Sequence, residues 1–556
     1  MYVDENESEI KGKSYKRTLI RRSYRDENGD VQKETVLNIS NFPERDKEAI
    51  KLALKNKNNL VNLANVREDL ELETGDTIGP VYLLNEIAKR TGLKKALGRG
   101  RNAKVALLQV MGAVINPGSR LSTVRLAKRQ SLCEYLGIKK LDEYDLYKNL
   151  SWLAKKQPRI EKRLFEARHD DDNGKTLFLY DVTSSYLEGE QNYFADYGYN
   201  RDKKRGKKQI VIGLLCDAEG APASIDVFPG NTKDNSTFGQ QVEKVARRFN
   251  CENVALVGDR GMIKSNEIDS LDEGMNYITA ITKPQIKKLM KDEVIQLDLF
   301  ETNVCEVEYK ETDDDGNEIL NRYVLRKNPK RRRDIRESRL ERMKALRDFV
   351  QEKNKYLEEH SRAHLDVAVR DVREKLKKLK LSSFIDIIVE GRKIQIDIDR
   401  EKYRDRRLLD GCYTLKTDMK KKQISAEDVH ARYKDLINVE RAFRTMKKVH
   451  LRVRPIYVCS REHTIGKVFI TMLGYLLKRK LEKYWKGVDM TVQEGLAELS
   501  SYTYDKVELG NIMFCKLPKP REDSRKLLRK AKVELDGEFT MKKADVDTKN
   551  KIKKEL

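Results

Sequence analysis

The sequence lacks the patterns that mark several large classes of protein. Its seven cysteines include no C-x-x-C pair and its six histidines form no ligand cluster beside them, so neither a zinc site nor a disulfide framework is expected. The first ten residues, MYVDENESEI, lack the basic and apolar regions of a signal peptide. The longest apolar run, 468–477, is too short to cross a bilayer. These absences predict a reduced, cytoplasmic protein.

Positive charge is what the sequence has in excess. Lysine and arginine number 114 against 90 acidic residues, a formal net charge of +24 over 556 residues. Such a chain repels itself unless a polyanion is nearby, which favours nucleic acid as a partner, although a merely soluble basic protein has the same composition. The length exceeds one ordinary core, so several structural units are expected.

The spacing of apolar residues changes along the chain and predicts six regions. Residues 15–40 alternate around a turn at 27–30, as in a hairpin, whereas 80–168 show the three-to-four spacing of helices. The regions are 1–75, a small β-hairpin and helix region; 76–170, a helical DNA-binding or dimerisation region; 171–295, the first part of an α/β core; 296–410, an insertion; 411–485, the second part of the core; and 486–556, a C-terminal region with a lysine-rich tail that we expect to be partly disordered.

The α/β core is predicted from short apolar strands at 176–182, 209–216, 223–228 and 254–257, with a helix at 238–249. The turn 217–220 joins the second and third strands, which we expect to form an antiparallel hairpin. Further on, the pattern predicts strand fragments at 305–309 and 323–325, one charged helix over 331–379, a hairpin at 384–398, and helices over 425–448 and 465–481.

Two aspartates follow apolar strands of this predicted core. Asp181 closes the strand that includes Leu177 to Tyr180, and Asp259 follows the strand at 254–257. Ionised acids there are costly unless they are paired or bind a metal. If the two strands are neighbours, their backbones lie about 4.8 Å apart and both acids can reach one metal ion. A single aspartate after a strand is also an ordinary turn residue.

A third acid lies on the predicted helix over 425–448. Tyr433, Glu440 and Lys447 are seven residues apart and share one face, with Arg444 one turn beyond Glu440. The alternate stripe, which includes Leu436, is apolar and is expected to pack against the sheet. The three charged residues could bind metal and DNA phosphate, or they could form ordinary helical ion pairs.

Basic runs elsewhere have the same two interpretations. The helical region 80–168 contains many lysines and arginines, and 330–333 reads Lys-Arg-Arg-Arg. A DNA contact is plausible for both segments. A solvated helical surface explains them as well, and for 330–333 that explanation is the more common one.

Three motifs carry a resemblance to a known family. They are LYDVTSSYLEG around Asp181, VGDRGM around Asp259 and YKDLINVERAFRTMKK over 433–448. They resemble the DDE transposases of bacterial insertion sequences, in the insertion sequence 4 superfamily and its 1634 family, over about 176–481. The third motif is similar to the signature Y-x2-R-x3-E-x6-K, except that Leu436 stands where the signature has arginine.

The resemblance implies an α/β fold with an RNase H-like catalytic core, a mixed sheet flanked by helices. A β-rich and helical insertion would interrupt it between the second and third acids, and a mainly helical DNA-binding region would precede it. It implies Mg²⁺ as cofactor, with Mn²⁺ able to substitute. The implied site residues are Asp181, Asp259 and Glu440 as catalytic metal ligands; Tyr433, Lys447, Arg444, Arg260 and Arg441 as DNA contacts; and Thr183 as a support for Asp181.

The resemblance also implies partners and a location. The partners are double-stranded DNA, both as terminal inverted repeats and as target, and a second copy of the chain in the DNA complex. The location is cytoplasmic and nucleoid-associated in a bacterium, with no membrane. Two alternatives stay open from the residues: an RNase H-like nuclease that never joins strands, and a DNA-binding protein that lacks the chemistry.

Overall fold

The chain is described by a computed structural model that falls into two compact units. The smaller comprises Met1–Glu86, Val124–Leu141 and Tyr484–Thr548, and the larger Ile87–Thr123, Asp142–Lys483 and Lys549–Leu556. The described residues are 1–10, 13–27, 29–57, 70–73, 75–169, 175–189, 191–199, 201, 204, 206–249, 251, 253–260, 262–263, 275–301, 304–312, 318–447, 451, 453, 456–509, 512–516, 519–534 and 544–547. Much of the predicted lysine-rich tail lies outside them.

The described residues form both helices and strands. The helices are α1 (Glu44–Lys55), α2 (Gly79–Arg90), α3 (Leu93–Leu97), α4 (Arg101–Ile115), α5 (Arg120–Arg129), α6 (Leu132–Leu136), α7 (Glu143–Glu166), α8 (Phe238–Phe249), α9 (Lys283–Lys291), α10 (Pro329–Glu359), α11 (Leu365–Lys378), α12 (Arg400–Arg407), α13 (Ala426–Lys434), α14 (Leu436–Lys447), α15 (Arg461–Tyr484), α16 (Val492–Leu499) and α17 (Glu522–Lys530). The strands are β1 (Tyr2–Ile10), β2 (Lys13–Arg25), β3 (Val31–Asn38), β4 (Leu70–Glu73), β5 (Lys140–Leu141), β6 (Lys175–Tyr186), β7 (Gln209–Asp217), β8 (Pro222–Pro229), β9 (Asn253–Gly258), β10 (Met275–Ala280), β11 (Cys305–Thr312), β12 (Glu318–Lys327), β13 (Ile385–Glu390), β14 (Lys393–Ile398), β15 (Cys412–Thr417), β16 (Asp505–Leu509), β17 (Ile512–Lys516) and β18 (Asp545–Val546).

In the smaller unit, the predicted N-terminal hairpin is confirmed as β2 and β3, which pair antiparallel. The sequence did not predict β1, which pairs with the other edge of β2. Its many acidic residues have low strand propensity. The strand is stabilised across the ladder instead, where Arg21 Nη1 lies 2.9 Å from Asp4 Oδ2.

The larger unit is built on a mixed sheet, with eight strands within the described ranges in the order β11-β12-β15-β10-β9-β6-β7-β8. The three central strands β10, β9 and β6 run parallel, and every other neighbouring pair is antiparallel. Helices α7 and α8 pack on one face of this sheet, where Phe165, Phe178 and Phe249 stack on one another. The fold is therefore mixed α/β, as predicted, and the predicted β7–β8 hairpin is confirmed.

Two predicted helices are each broken in the structure. The charged helix predicted over 331–379 is two helices, α10 and α11, which share an apolar core that includes Leu346, Val350 and Val372. The five residues 360–364, HSRAH, are mostly polar and the chain turns there so that the apolar stripes of the two helices can pack together. The helix predicted over 425–448 divides at Asp435 into α13 and α14, and Ser425 caps α13 by accepting from the Asp428 amide.

Candidate active site

The first two acids are neighbours because the strands that carry them pair in parallel. In the β6–β9 register Tyr180 lies opposite Gly258, so the next residues along, Asp181 and Asp259, leave the ladder side by side. Asp181 does not close its strand, as the sequence suggested, because β6 continues to Tyr186 paired with β7. Asp259 does follow the end of β9, and its side chain is exposed.

Helix α14 brings the third acid to the same place. Its buried stripe of Leu436, Val439, Ala442, Phe443 and Met446 packs the helix on β6 and β7, as predicted. Because side chains alternate along a strand, this face of β6 is the one opposite to Tyr180 and Val182, which pack towards α8. The turn between β7 and β8 supports the helix, since Gly220, at φ +77°, lies against Asn438. Glu440 is exposed and lies one turn after Leu436, at the edge of the buried stripe.

The three acids line one open cavity of about 370 Å³. The wall of the cavity comes from several separate segments: Asp181, Asp259, Arg260, Ala280, Asn328, Tyr413, Tyr433, Lys434, Leu436, Ile437 and Glu440. Residues that are far apart in the sequence therefore converge at the ends of the central parallel strands. The sequence predicted the three carboxylates, Tyr433 and Arg260 at this site, and it did not predict Asn328, Tyr413 or Lys434.

Burial and neighbouring negative charges perturb the pKa of the first acid, Asp181. Burial raises the pKa of Asp181 to about 7, and the charges of Asp259 and Glu440 push the pKa in the same direction. The hydrogen bond from the Val182 amide, 2.7 Å long, and the charge of Arg201 oppose the rise. A carboxylate set with this balance favours a bound cation, which would stabilise the ionised form.

Arg201 is a neighbour of Asp181 that sequence reasoning missed. Its Nη1 donates to the Val182 carbonyl at 2.9 Å, its guanidinium pairs with Asp234, and its amide donates to Ser184 Oγ at 3.1 Å. It lies between β6 and β7, where the sequence has no periodic pattern. No sequence signal distinguished it from the neighbouring lysines and arginines.

Tyr433 holds the second acid. Its hydroxyl donates to Asp259 Oδ1 at 3.0 Å, and the same carboxylate oxygen accepts from the Arg260 amide at 2.6 Å. Burial first, and then the charge and hydrogen bond of Asp259, raise the pKa of Tyr433, which therefore stays a neutral donor. The signature tyrosine thus orients Asp259 directly.

A buried histidine supports the wall behind Tyr433. The His430 ring contacts the Tyr413 hydroxyl, and Arg326 Nη1 lies 2.7 Å from His430 Nδ1. Burial first, and then the charges of Arg326 and Lys434, lower the pKa of His430 to about 4. The imidazole is therefore neutral at physiological pH, and because a guanidinium can only donate, Nδ1 accepts from Arg326 and the Nε2–H donates to the Tyr413 hydroxyl oxygen.

The other predicted residues lie around the cavity and not in its described wall. Thr183 is buried on β6, two residues beyond Asp181 and on the same face by alternation. Lys447 lies two turns beyond Glu440 and Arg444 one turn beyond it, and Arg444 is exposed. Burial raises the pKa of Tyr475 on α15, and the positive charge of Arg441 offsets part of that rise. Arg441 therefore lies near Tyr475.

Leu436 takes the place of the signature arginine and forms part of the cavity wall. The positive charges that do line the cavity come from Arg260 and Lys434. Arg441 and Arg444, two of the implied DNA contacts, are not part of this described wall.

The donor set suits a divalent cation in type but is not yet arranged as a metal cluster. Three carboxylates on rigid elements are the ligands that Mg²⁺ prefers. Among the described residues, however, no three His, Cys, Asp or Glu side chains are close enough together to hold a metal ion as they stand. Binding would therefore require these side chains to turn towards one another.

Comparison with known proteins identifies the class. The Transposase DDE domain family matches residues 172–477, more than half of the chain and the whole segment that contains the three acids. The chain therefore belongs to the DDE transposases. The N-terminal domain of the IS1634 family transposases matches residues 4–65 as well, which makes this chain a transposase of the IS1634 family, from an insertion sequence. The predicted family and the transposase function are confirmed, and DNA is the partner that the family implies.

Other comparisons add little. A cryo-EM structure of a piggyBac transposase synaptic complex with hairpin DNA aligns over 75% of this chain and 76% of its own, at 10% identity and a TM-score of 0.32. That likeness is too distant to carry an argument. No curated protein matches the sequence. Within the described part of the chain, none of the helices is both long and apolar enough to span a membrane.

Proposed function

We propose that Asp181, Asp259 and Glu440 are the catalytic carboxylates of this transposase and that they hold Mg²⁺, with Mn²⁺ able to substitute. The observation that carries the proposal is the convergence of the three acids, from β6, from the end of β9 and from α14, on one cavity. The raised pKa of Asp181, to about 7, supports it, because a bound cation would offset the burial and the neighbouring negative charges that cause the rise.

The core around these acids is proposed to be RNase H-like. Support comes from the mixed sheet, whose central strands position two of the acids, with α7 and α8 on one face and α14 on the other. The predicted regions remain the proposed division of labour: 76–170 binds DNA or forms the dimer, and 296–410 is the insertion. A homodimer on DNA and a nucleoid-associated cytoplasmic location stay predictions.

The reaction proposed is cleavage of DNA at each transposon end, followed by attack of the freed 3′-hydroxyl on target DNA. The bound cations would activate the attacking oxygen and offset charge at the scissile phosphate. Asp181, Asp259 and Glu440 would hold them, while the Tyr433 hydroxyl fixes Asp259 through its 3.0 Å hydrogen bond. Arg260 and Lys434, which line the cavity, are placed to contact phosphate.

The remaining predicted residues have proposed roles outside the cavity wall. Lys447 and Arg444, further along α14, would contact DNA on either side of the scissile phosphate. Arg441, near Tyr475, would make a more distant contact. Thr183, buried on β6, would fix the strand that carries Asp181.

The test is cleavage of a supercoiled plasmid that carries the ends of the element, with Mg²⁺ or Mn²⁺ and with a chelator as control. Wild type is expected to nick and linearise the plasmid only with metal, and to give joined products when a second plasmid is offered as target. Metal-dependent nicks without any joined product would favour the nuclease alternative. Binding of the ends without cleavage in either metal would favour the DNA-binding alternative.

A further inference from the structure

A second cavity of the larger unit, of about 760 Å³, is lined by arginine. Six arginines, three from the first two turns of α10 and three from α12, face this cavity, which we name the arginine cleft: Arg332, Arg333, Arg336, Arg400, Arg404 and Arg407. All six are exposed. The spacing places each set on one side of its helix, since residues three and four apart are neighbours on a helix surface.

Four acids near the cleft pair with cations other than the six arginines. Asp410 is buried, its Oδ1 accepts from Arg339 Nη2 at 2.9 Å and its Oδ2 forms an ion pair with Arg339 Nη1 at 2.7 Å, while Glu301 pairs with Lys327. On α12 and at its N-cap, Asp405 pairs with Lys287 and Asp399 lies 3.0 Å from Lys402.

None of the six cleft arginines forms an ion pair with a carboxylate in the described part of the chain. Six like charges around one cavity repel one another, and each guanidinium presents five donors. Among the described residues, Arg407 lies over the Tyr403 ring at 5.3 Å, and all six guanidinium groups are open to solvent. The cleft therefore calls for an anion with several charges, and one small anion could not reach all six.

The cleft adjoins the active-site cavity. Asn328 lines the cavity and its two neighbours, Lys327 and Pro329, line the cleft; likewise Tyr413 lines the cavity and Cys412 the cleft. The two segments are joined by a hydrogen bond of 2.9 Å from the Asn328 amide to the Gly411 carbonyl. This thin wall separates the three carboxylates from the six arginines.

We propose that the arginine cleft binds the sugar-phosphate backbone of the DNA that flanks the scissile phosphate. Arginine forms forked hydrogen bonds to phosphate, and the row from Arg400 to Arg407 is roughly 10 Å long, over which one DNA strand carries about three phosphates. The contact reads no bases, so it holds DNA of any sequence. The proposal rests on the function proposed above, because the active-site cavity tells which DNA lies alongside.

The test measures DNA binding by the full-length protein in chelator, where no cleavage occurs. The probes are a labelled duplex from the end of the element and a duplex of scrambled sequence. The cleft variant is Arg400→Gln/Arg404→Gln/Arg407→Gln. A matched control, Lys344→Gln/Arg347→Gln/Arg362→Gln, removes the same charge from exposed positions of the same insertion outside the cleft.

The cleft variant is expected to bind both duplexes roughly tenfold or more weakly, with a plot of log affinity against log salt shallower by about 2 to 3. The control variant is expected to lose much less DNA affinity and much less of the salt slope. A lysine triple, Arg400→Lys/Arg404→Lys/Arg407→Lys, keeps the charge and should keep most of the salt slope. Retention of the slope in the lysine triple shows that the three positions tolerate replacement, and an unchanged unfolding transition of the glutamine triple shows that its loss of slope is not a folding defect.

Equal binding by the cleft variant and wild type would overturn the proposal, as would an equal loss in the control. If the cleft variant bound only the duplex from the element's end more weakly, and the scrambled duplex as well as wild type does, the proposal would also be overturned, because that result would indicate base recognition. Plasmid cleavage by wild type is scored separately. If wild type never cuts but the cleft variant selectively loses the salt slope, the cleft stands and the proposed catalytic function falls.

Discussion

The larger unit has two adjoining cavities of opposite charge. The active-site cavity gathers three carboxylates, and the arginine cleft gathers six arginines on the other side of the wall formed by Asn328 and Tyr413. The acids come from three distant segments and each depends on strand pairing or helix packing for its place. The arginines come from two helices and depend on local spacing. One DNA molecule with its metal ions would satisfy both, because the acids need cations and the arginines need phosphates.

If the carboxylates bind metal and the arginines bind phosphate, substitutions in the active-site cavity should lower the cleavage rate, and substitutions in the arginine cleft should lower DNA affinity. The largest effect is expected for Asp181→Asn, Asp259→Asn and Glu440→Gln, because each removes a proposed metal ligand. Each should lower metal-dependent plasmid cleavage by about 10³-fold or more, which is about 4 kcal/mol of transition-state stabilisation, and should leave DNA affinity equal or higher. The measurement is cleavage rate beside duplex affinity.

Asp348→Asn is the control for these variants, since Asp348 is exposed on α10 away from both cavities. It should cut like wild type. An acid whose replacement leaves cleavage unchanged has been assigned wrongly. A loss of DNA affinity in these three variants would contradict the assignment of catalysis to one cavity and of DNA binding to the other.

The next largest effect concerns stability and pH in the metal-free protein. The pKa of Asp181 is about 7 in the folded chain against about 4 unfolded, so between those values the unfolded state ionises first and stability falls as pH rises. Asp181→Asn removes this penalty. It should therefore stabilise the protein by roughly 2 to 4 kcal/mol at pH 8 and by little at pH 4.

Denaturant unfolding in chelator at the two pH values, beside wild type, measures this difference. Titrating groups that do not interact with Asp181 cancel in the comparison. A gain from Asp181→Asn that is the same at both values would contradict the raised pKa. Added Mg²⁺ should reduce the gain at pH 8, since the cation stabilises only the chain that retains the carboxylate.

A matched pair of glycines tests how α14 is positioned. Gly220 and Gly391 both lie in hairpin turns with positive φ, at +77° and +59°. An alanine Cβ at Gly220 would meet Asn438 Cβ at 2.5 Å, whereas nothing lies within 4 Å at Gly391. Gly220→Ala should cost roughly 2 to 3 kcal/mol of unfolding free energy and Gly391→Ala about 1. Equal losses would mean that the contact with α14 does not matter.

The smallest effect is expected for Tyr433→Phe. It deletes the hydrogen bond to Asp259 and leaves the carboxylate itself, so cleavage should fall about tenfold, or about 1.4 kcal/mol, with DNA affinity unchanged. Tyr457→Phe, at a tyrosine that is 73% exposed, is the control and should cut like wild type. A loss of affinity without a loss of rate would instead assign Tyr433 to DNA binding, as the family signature suggested.

Much of the site was predictable because its signals are local. The strands around Asp181 and Asp259 are short apolar runs, and Tyr433 and Glu440 recur at helical spacing. The predictions were wrong where an element far along the chain determines the local structure. Asp181 lies within β6 because β7 extends the pairing to Tyr186.

The prediction of a single helix over 331–379 was wrong for a related reason. The two helices α10 and α11 bury their apolar residues against each other, which requires a turn between them. Neither the pairing of β7 with β6 nor the mutual packing of these helices has a local signal in the sequence.

The sequence by itself determined the positive charge and the element types of the core, because composition and periodicity are properties of short segments, and its three motifs singled out the acids as candidates through the family resemblance. Only the tertiary structure decided that Arg201 lies beside Asp181, that Arg326, His430 and Tyr413 form one wall, and that six arginines face one cleft. Those arrangements depend on strand register and on helix packing between residues far apart in the chain, which no local pattern encodes.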